Sequence, residues 1–384
     1  MLRAVIYWFI RKSIAKAFDV YHAVLEWPSL VRAAAPDYSA IMARLEADGV
    51  ERLALVAPHP AAVLTFTLRN LVKALLADEY TVIVLSCQST ELAWLKSDFP
   101  GVHVVPRAAH GRDFGAWKYF LLDLLASESL RTTLKRLILV NDSMYYNEAG
   151  VGRILDFFGS SDRPWMCVYE NNEIHYHAQS FLLGFSGAVV RSAAFRDFWA
   201  RYKPYSTRKH SIDCGEVGLS ADMKAAFGMP DCYISSRRLL KALEDMPEAQ
   251  TMSILECLEK SVWGGLTRFK EMRRLMGELP WVNGVYAESA NSAPVKRFVG
   301  DIVVRLKETR NPSHAIGLIS NQLFEAPIKR DICYRGVYRI AHLPQLSVGF
   351  SPEELEAIEG DLREKGLPES IVGVRRVLFL LGRI

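Results

Sequence analysis

The chain has 384 residues, enough for one large domain or two ordinary ones; half of its side chains are hydrophobic and 23% are charged. That composition excludes broad disorder, and a formal net charge of only +4, from 47 basic against 43 acidic residues, does not suggest a dedicated nucleic-acid binder. Cys87, Cys167, Cys214, Cys232, Cys257 and Cys333 are scattered with no Cys-x-x-Cys pair. They read as reduced core residues in a cytoplasmic setting, not as a disulfide frame or a zinc site.

In residues 2–21, Leu2, Val5, Ile6, Phe9, Ile10, Ile14, Ala17, Phe18 and Tyr21 have the spacing of a helix, with Arg3, Arg11, Lys12 and Lys16 among them. Arg11 and Lys12 interrupt the apolar run, which argues against a signal peptide and against a membrane span. Two readings remain: a helix lying in the membrane interface, or one docking on its own domain or on a partner. The stretch 372–384 is also basic and apolar, which tilts the reading toward the membrane.

From Arg52 onward, strands and helices alternate. Leu53–Ala57, Tyr80–Ser86 and Val102–Val105 read as strands; Ala62–Ala77, Glu91–Asp98 and Ala116–Leu125 read as helices. The aliphatic run Leu137–Val140 predicts a strand buried on both faces, ending abruptly on Asn141-Asp142-Ser143. This alternation predicts an α/β protein with a mainly parallel sheet and helices on both faces. No Gly-x-Gly-x-x-Gly follows the first strand and no Walker sequence is present, which argues against dinucleotide and P-loop sites. Trp165–Tyr169 is a further strand, Phe181–Phe185 is apolar, and Ser192–Tyr202 has an amphipathic pattern whose Phe195, Phe198 and Trp199 read as core. Beyond about Leu239 the chain is mostly helical and charged, either packed on the sheet or standing as a subdomain. The organisation expected is thus an N-terminal amphipathic helix and lead-in (1–50), an α/β domain (51–240) and a mostly helical C-terminal region (241–384).

Open α/β sheets bind ligands beyond the carboxyl ends of their strands, which is where Asn141-Asp142-Ser143 falls; a simple turn is the competing reading. A crevice there would collect Asp113 and Asp142 with Arg112, Glu216 and His177. Carboxylates in such a place can hold a divalent cation, and Arg112 has the fork that suits phosphate oxygens. Each has a plainer alternative: a loop ion pair for Arg112-Asp113, a helix-start acid for Glu216, a hydrogen-bonded core or loop histidine for His177.

The order of the pieces is more specific than any one of them. Gly111-Arg112-Asp113-Phe114-Gly115-Ala116-Trp117, then Val140-Asn141-Asp142-Ser143, Tyr176-His177-Ala178-Gln179-Ser180-Phe181, Phe198-Trp199 and Gly215-Glu216-Val217-Gly218-Leu219-Ser220 resemble the rhamnan-synthesis protein F family. Asn311-Pro312-Ser313-His314 and Ala326-Pro327-Ile328-Lys329-Arg330-Asp331 resemble its closing segment, so the likeness spans roughly residues 51–340. The resemblance implies a GT-A-type glycosyltransferase of bacterial surface polysaccharide such as O-antigen, with a rhamnosyltransferase among the candidates. Its donor would be a nucleoside-diphosphate sugar and its acceptor a lipid-linked glycan, at the inner face of the cytoplasmic membrane and among other assembly enzymes. It implies donor contacts from Arg112, Asp113, Asn141, Asp142 and Ser143, a general base at Glu216, and acceptor-side or supporting roles for His177, Gln179 and Ser180. Asp142 would hold Mg²⁺ or Mn²⁺. Asn141-Asp142-Ser143 offers one carboxylate where the family's Asp-x-Asp pattern has two, which leaves metal dependence open. The alternatives are a catalytically silent glycan-binding or scaffold subunit of a polysaccharide synthase, and a sugar-phosphate transferase attacking phosphorus.

Cationic amphipathic segments are drawn to anionic bilayers. The protein is therefore expected to float with anionic liposomes in a density gradient, and deletion of residues 1–22 to weaken that flotation. Unchanged flotation would take the N-terminal helix out of the argument.

Overall fold

A computed structural model of the protein describes residues 35–58, 64–87, 92–108, 110–247, 292–333 and 338–365, with residues 17, 20, 21, 24, 250, 251, 254, 281, 282, 285, 286, 372 and 373. The aliphatic runs become strands: β1 (Arg52–Ala57), β2 (Thr81–Ser86), β3 (His103–Pro106) and β4 (Arg136–Asn141). Further along come β5 (Met144–Tyr145), β6 (Trp165–Cys167), β7 (Glu170–Asn171), β8 (His177–Ala178), β9 (Leu182–Ser186), β10 (Asp231–Cys232), β11 (Trp281–Val282), β12 (Val285–Tyr286) and β13 (Ile328–Lys329).

Seven of these form the central sheet in the order β10-β6-β9-β4-β1-β2-β3. Its pairings are parallel except those of β9, which runs antiparallel to both β4 and β6. The chain winds outward from β1 to β3, then crosses back through two helices, Arg112–Ala126 and Glu128–Thr133, to set β4 on the other side of β1. At such a reversal the connections leave in opposite directions and open a crevice at the strands' carboxyl ends. Ala57 and Asn141 are register partners at that end.

Alternation along each strand sends successive side chains to opposite faces. Ala54, Val56, Val82, Val84, Ile138 and Val140 join one core with helices α1 (Thr65–Ala77) and, beyond β5, Glu148–Ser160. Leu53, Leu55, Ile83, Leu85, Leu137 and Leu139 face the other core, built on α2 (Arg112–Ala126) and Ala193–Arg201. Phe195, Phe198 and Trp199 are buried there, so that stripe is core.

Two local expectations need correction. Gly111-Arg112-Asp113 is not a loop before a helix starting at Ala116; Gly111 caps α2, and Arg112 and Asp113 form its first turn. Glu216 does not start a helix either. Helical backbone runs from Arg208 to Phe227, capped by the Thr207 side chain, and Glu216 ends a π-helical turn, Ser211–Glu216, within it. Cys87 and Cys214 are exposed thiols, whereas Cys167, Cys232 and Cys333 are buried as expected; Cys257 lies outside the described residues.

The C-terminal region is largely helical, with Ser236–Asp245, Ser292–Thr309, Gly317–Phe324 and Pro352–Lys365. Residue 240 falls inside the first of these helices. Val299, Ile302, Leu318, Ile319, Ile358 and Leu362 enter the same core as Val56 and Val140, so this region packs on the sheet. β13 also pairs antiparallel with β5. Of residues 1–34 only Ala17, Val20, Tyr21 and Val24 are described, all helical and exposed; the rest of that segment and residues 374–384 lie outside the described residues. Among the described residues no helix is long and apolar enough to cross a membrane.

Gly150, in helix Glu148–Ser160, sits where a Cβ would drive into the Glu325 carbonyl oxygen. Asn147 accepts from the Gly150 N–H at 2.6 Å and donates to that same carbonyl at 3.0 Å. Gly150→Ala is therefore expected to lower stability by about 1–3 kcal/mol, read as a lower urea midpoint at an unchanged slope.

Candidate functional site

The crevice is assembled from five separate segments. The first is the start of α2. Gly111 has φ 80 and Arg112 has φ 55, both left-handed, and a Cβ on Gly111 would lie 2.7 Å from the Pro204 carbonyl oxygen. Only glycine combines that conformation with that approach. The turn places Asp113 in the first turn of α2, where a negative charge is favoured. Its Oδ2 accepts from Asn141 Nδ2 at 2.6 Å, and its Oδ1 accepts from the Phe114 N–H at 3.0 Å and from Ser211 Oγ at 3.3 Å. Asp113 thus holds the end of β4. Arg112 is exposed, and its carbonyl accepts from Arg107 Nη1 at 2.7 Å.

Asn141-Asp142-Ser143 is the second segment, and both readings of it have a physical basis. Asn141 Oδ1 accepts from the Ser143 N–H at 3.0 Å, which is the side-chain turn expected of this residue type. The turn then presents Asp142 and Ser143 to β13. Asp142 lies 3.6 Å from Arg330 Nη1, with side chains 14% and 8% exposed. Ser143 Oγ accepts from Lys329 Nζ at 3.0 Å, and its carbonyl accepts from the Arg330 N–H at 3.1 Å.

The third and fourth segments meet at Glu216. A π turn adds a residue to the helical repeat and so redirects the side chains that follow. Gly215 makes the approach possible: a Cβ there would come within 2.9 Å of the Phe114 ring. Glu216 Oε1 accepts from both the N–H of Ser180, at 2.9 Å, and its Oγ, at 2.7 Å. Ser180 Oγ also lies 3.5 Å from Asp113 Oδ2, but its one proton serves the shorter contact. Glu216 Oε2 is 3.5 Å from His177 Nε2. His177 Nδ1 lies 2.8 Å from the His175 carbonyl, which can only accept. The proton of neutral His177 is therefore on Nδ1, leaving the lone pair of Nε2 toward the carboxyl group.

Gln179, buried between these groups, turns instead toward the late segment, donating to Asn311 Oδ1 at 3.1 Å. Ser313 Oγ donates to the same oxygen at 2.9 Å, and His314 Nε2 lies 2.7 Å from Asp331 Oδ1. The structure thus brings Asp113 and Asn141 beside Ser180, Glu216 and His177, the two groups meeting where Ser180 Oγ lies 3.5 Å from Asp113 Oδ2. Asp142 and Ser143 sit on an adjoining basic pair, while Arg112 is at solvent.

That basic pair, Lys329-Arg330, belongs to the closing segment of the family likeness, and nothing in its local sequence marks it as part of a site. It lies far from Ser143 along the chain, and only the pairing of β13 with β5 joins them. Burial lowers the Lys329 pKa, opposed by the charges of Asp331, Glu216 and Asp113. Asp361 holds Arg330 through two bonds, from Nη2 at 2.9 Å and Nε at 3.3 Å, and also accepts from Lys365 at 2.7 Å and from the Tyr145 hydroxyl. Burial alone would raise the Asp361 pKa, but hydrogen bonds from Arg330, Lys365 and Tyr145 outweigh it and lower the value. Ser211, a serine ahead of Asp213, likewise carries no sequence signal.

For a divalent cation the described residues offer Asp142, whose carboxylate is already faced by a guanidinium. Among the described residues no group of three or more His, Cys, Asp or Glu side chains is placed to hold a metal. A cation there would share that one carboxylate with the guanidinium of Arg330. No protein-family model matches the chain, and no curated protein matches it.

Asp361→Asn would leave Arg330 half-neutralised in a nearly closed position, at an expected cost of about 3 kcal/mol in urea unfolding at pH 7. Because the folded carboxyl titrates below its ordinary value of 3.8, its stabilisation is complete above that pH and is lost as pH falls through the lower folded value. The gap between wild type and variant should hold down to about pH 4 and close below it.

Proposed function

We propose that the protein is a glycosyltransferase that moves a sugar from a nucleoside-diphosphate donor to a hydroxyl of a lipid-linked bacterial glycan, with Glu216 as general base. The observation that carries this reading is the half-buried Glu216 carboxyl. It is fixed by Ser180 on one oxygen and faced by His177 on the other, beside the Asp113–Asn141 bridge at the reversal of strand order. The ordered likeness to the rhamnan-synthesis protein F family supports it, as does a mainly parallel sheet compatible with a GT-A-type nucleotide-binding domain.

In this mechanism the acceptor oxygen attacks the anomeric carbon on the face opposite the diphosphate, and the bond from that carbon to the diphosphate oxygen breaks. The configuration inverts. Glu216 takes the acceptor proton through Oε2, since Oε1 is engaged by two donors from Ser180. Effective transfer needs the hydroxyl within about 3 Å, directly or through one water. The lone pair on His177 Nε2 can accept a hydrogen bond from the carboxyl group once Glu216 has taken the acceptor proton. Asp113, by holding Asn141 and Ser211, keeps the end of β4 and the π turn in fixed relation. The exposed apolar positions Val20, Tyr21 and Val24 are compatible with peripheral attachment at the cytoplasmic face, where a lipid-linked acceptor resides.

Glu216→Gln keeps the shape and removes the base. It is expected to lower turnover by about a hundredfold to ten-thousandfold while nucleotide affinity changes little. Steady-state transfer assays beside calorimetric titration with nucleoside diphosphates check this. Unchanged turnover would remove Glu216 from the chemistry. A folded sample that binds no nucleotide would favour the glycan-binding scaffold instead.

A further inference from the structure

We infer that Lys329, held by Ser143, occupies the charge-neutralising position at the donor's diphosphate, so that donor binding needs no divalent cation. This rests on the donor-site reading above and assigns the residue that would meet the phosphates.

The backbone delivers both side chains. β13 runs antiparallel to β5, with Lys329 opposite Met144, and the Arg330 N–H bonds the Ser143 carbonyl at 3.1 Å. The chain thereby lies along the turn that ends β4, at the mouth of the crevice. Lys329 is densely surrounded yet keeps part of its surface open. An ammonium group has three donors, and among the described residues Nζ has one hydrogen-bond acceptor, Ser143 Oγ at 3.0 Å. Asp331, Glu216 and Asp113 act on it electrostatically, but among the described residues no carboxylate forms an ion pair with it. A buried amine with spare donors and no paired anion suits an anionic ligand, and a diphosphate oxygen meets both needs with charge-assisted bonds.

Arg330 performs a different task. Asp361 grips it from behind while its Nη1 faces Asp142 at 3.6 Å. The single carboxylate of Asn141-Asp142-Ser143 is therefore balanced by the chain itself. A divalent ion arriving there would share one carboxylate with a guanidinium and sit near an ammonium group, an arrangement that repels it. As the bond to the sugar breaks, charge grows on the departing diphosphate, and a positioned ammonium group stabilises that charge as a metal ion otherwise would.

The test is calorimetric titration of wild type, Lys329→Met and Lys329→Arg with inorganic pyrophosphate and a panel of nucleoside diphosphates, first in EDTA and then in Mn²⁺. Wild type is expected to bind one nucleoside diphosphate in EDTA, with little gain from Mn²⁺. Lys329→Met should lose about tenfold to a hundredfold in EDTA, and Lys329→Arg should recover part of the loss. Binding of a nucleotide by wild type only in the presence of Mn²⁺ would overturn the inference and leave the donor site standing. So would undiminished binding by folded Lys329→Met. No nucleotide binding in either condition would overturn the donor-site reading and this inference together.

Discussion

The hydrogen bond from Asn141 to Asp113, 2.6 Å long, is the contact on which the rest of the crevice depends. It ties the carboxyl end of β4 to the first turn of α2, two places brought together because the chain crosses back over the sheet between β3 and β4. From Asp113 the connections spread to Ser211 in the π turn, and the close approach of Ser180 continues them to Glu216. Every member of this network is held by a neighbour from another segment. In such chains each bond orients the next, and a broken member leaves a costly unsatisfied group.

The glycines in the recurring motifs have steric roles beside these polar ones. Gly111 gives way to Pro204, Gly115 to the His110 carbonyl at 2.5 Å from where its Cβ would stand, and Gly215 to the Phe114 ring. Phe114 itself is buried against Trp117, Trp199 and Tyr202. Asp113 and Glu216 are thus carried by residues whose neighbours interlock around one aromatic ring. The polar site and the core beneath it form one packing unit, which accounts for the motifs mixing Gly, Phe and Trp with the acids.

The C-terminal region is part of the same unit. It supplies β13 to the edge of β5, Asn311 to Gln179, and Asp361 to Arg330. Asp142 faces this region through Arg330, so Asp113 and Asp142 sit in different electrostatic settings. Asp113 is met by neutral donors, whereas Asp142 is met by a guanidinium.

The sequence by itself determined the sheet and its helices, because unbroken aliphatic runs such as Leu137–Val140 have few ways to bury both faces. It also singled out Asp113, Glu216 and His177 as polar residues for one crevice, and the ordered likeness to a family added Asn141 and Ser180. It did not determine that Arg112 would stay at solvent, since that follows from two successive left-handed residues at the cap of α2. Nor did it determine the roles of Lys329, Arg330 and Asp361. Apart from Lys365, one helical turn from Asp361, the partners that join them are between 31 and 216 residues away along the chain, and no periodicity relates such positions. Only the antiparallel pairing of β13 with β5 sets a lysine beside Ser143 and an arginine beside Asp142. Register between distant strands is decided by packing of the whole fold, because local sequence favours many pairings about equally.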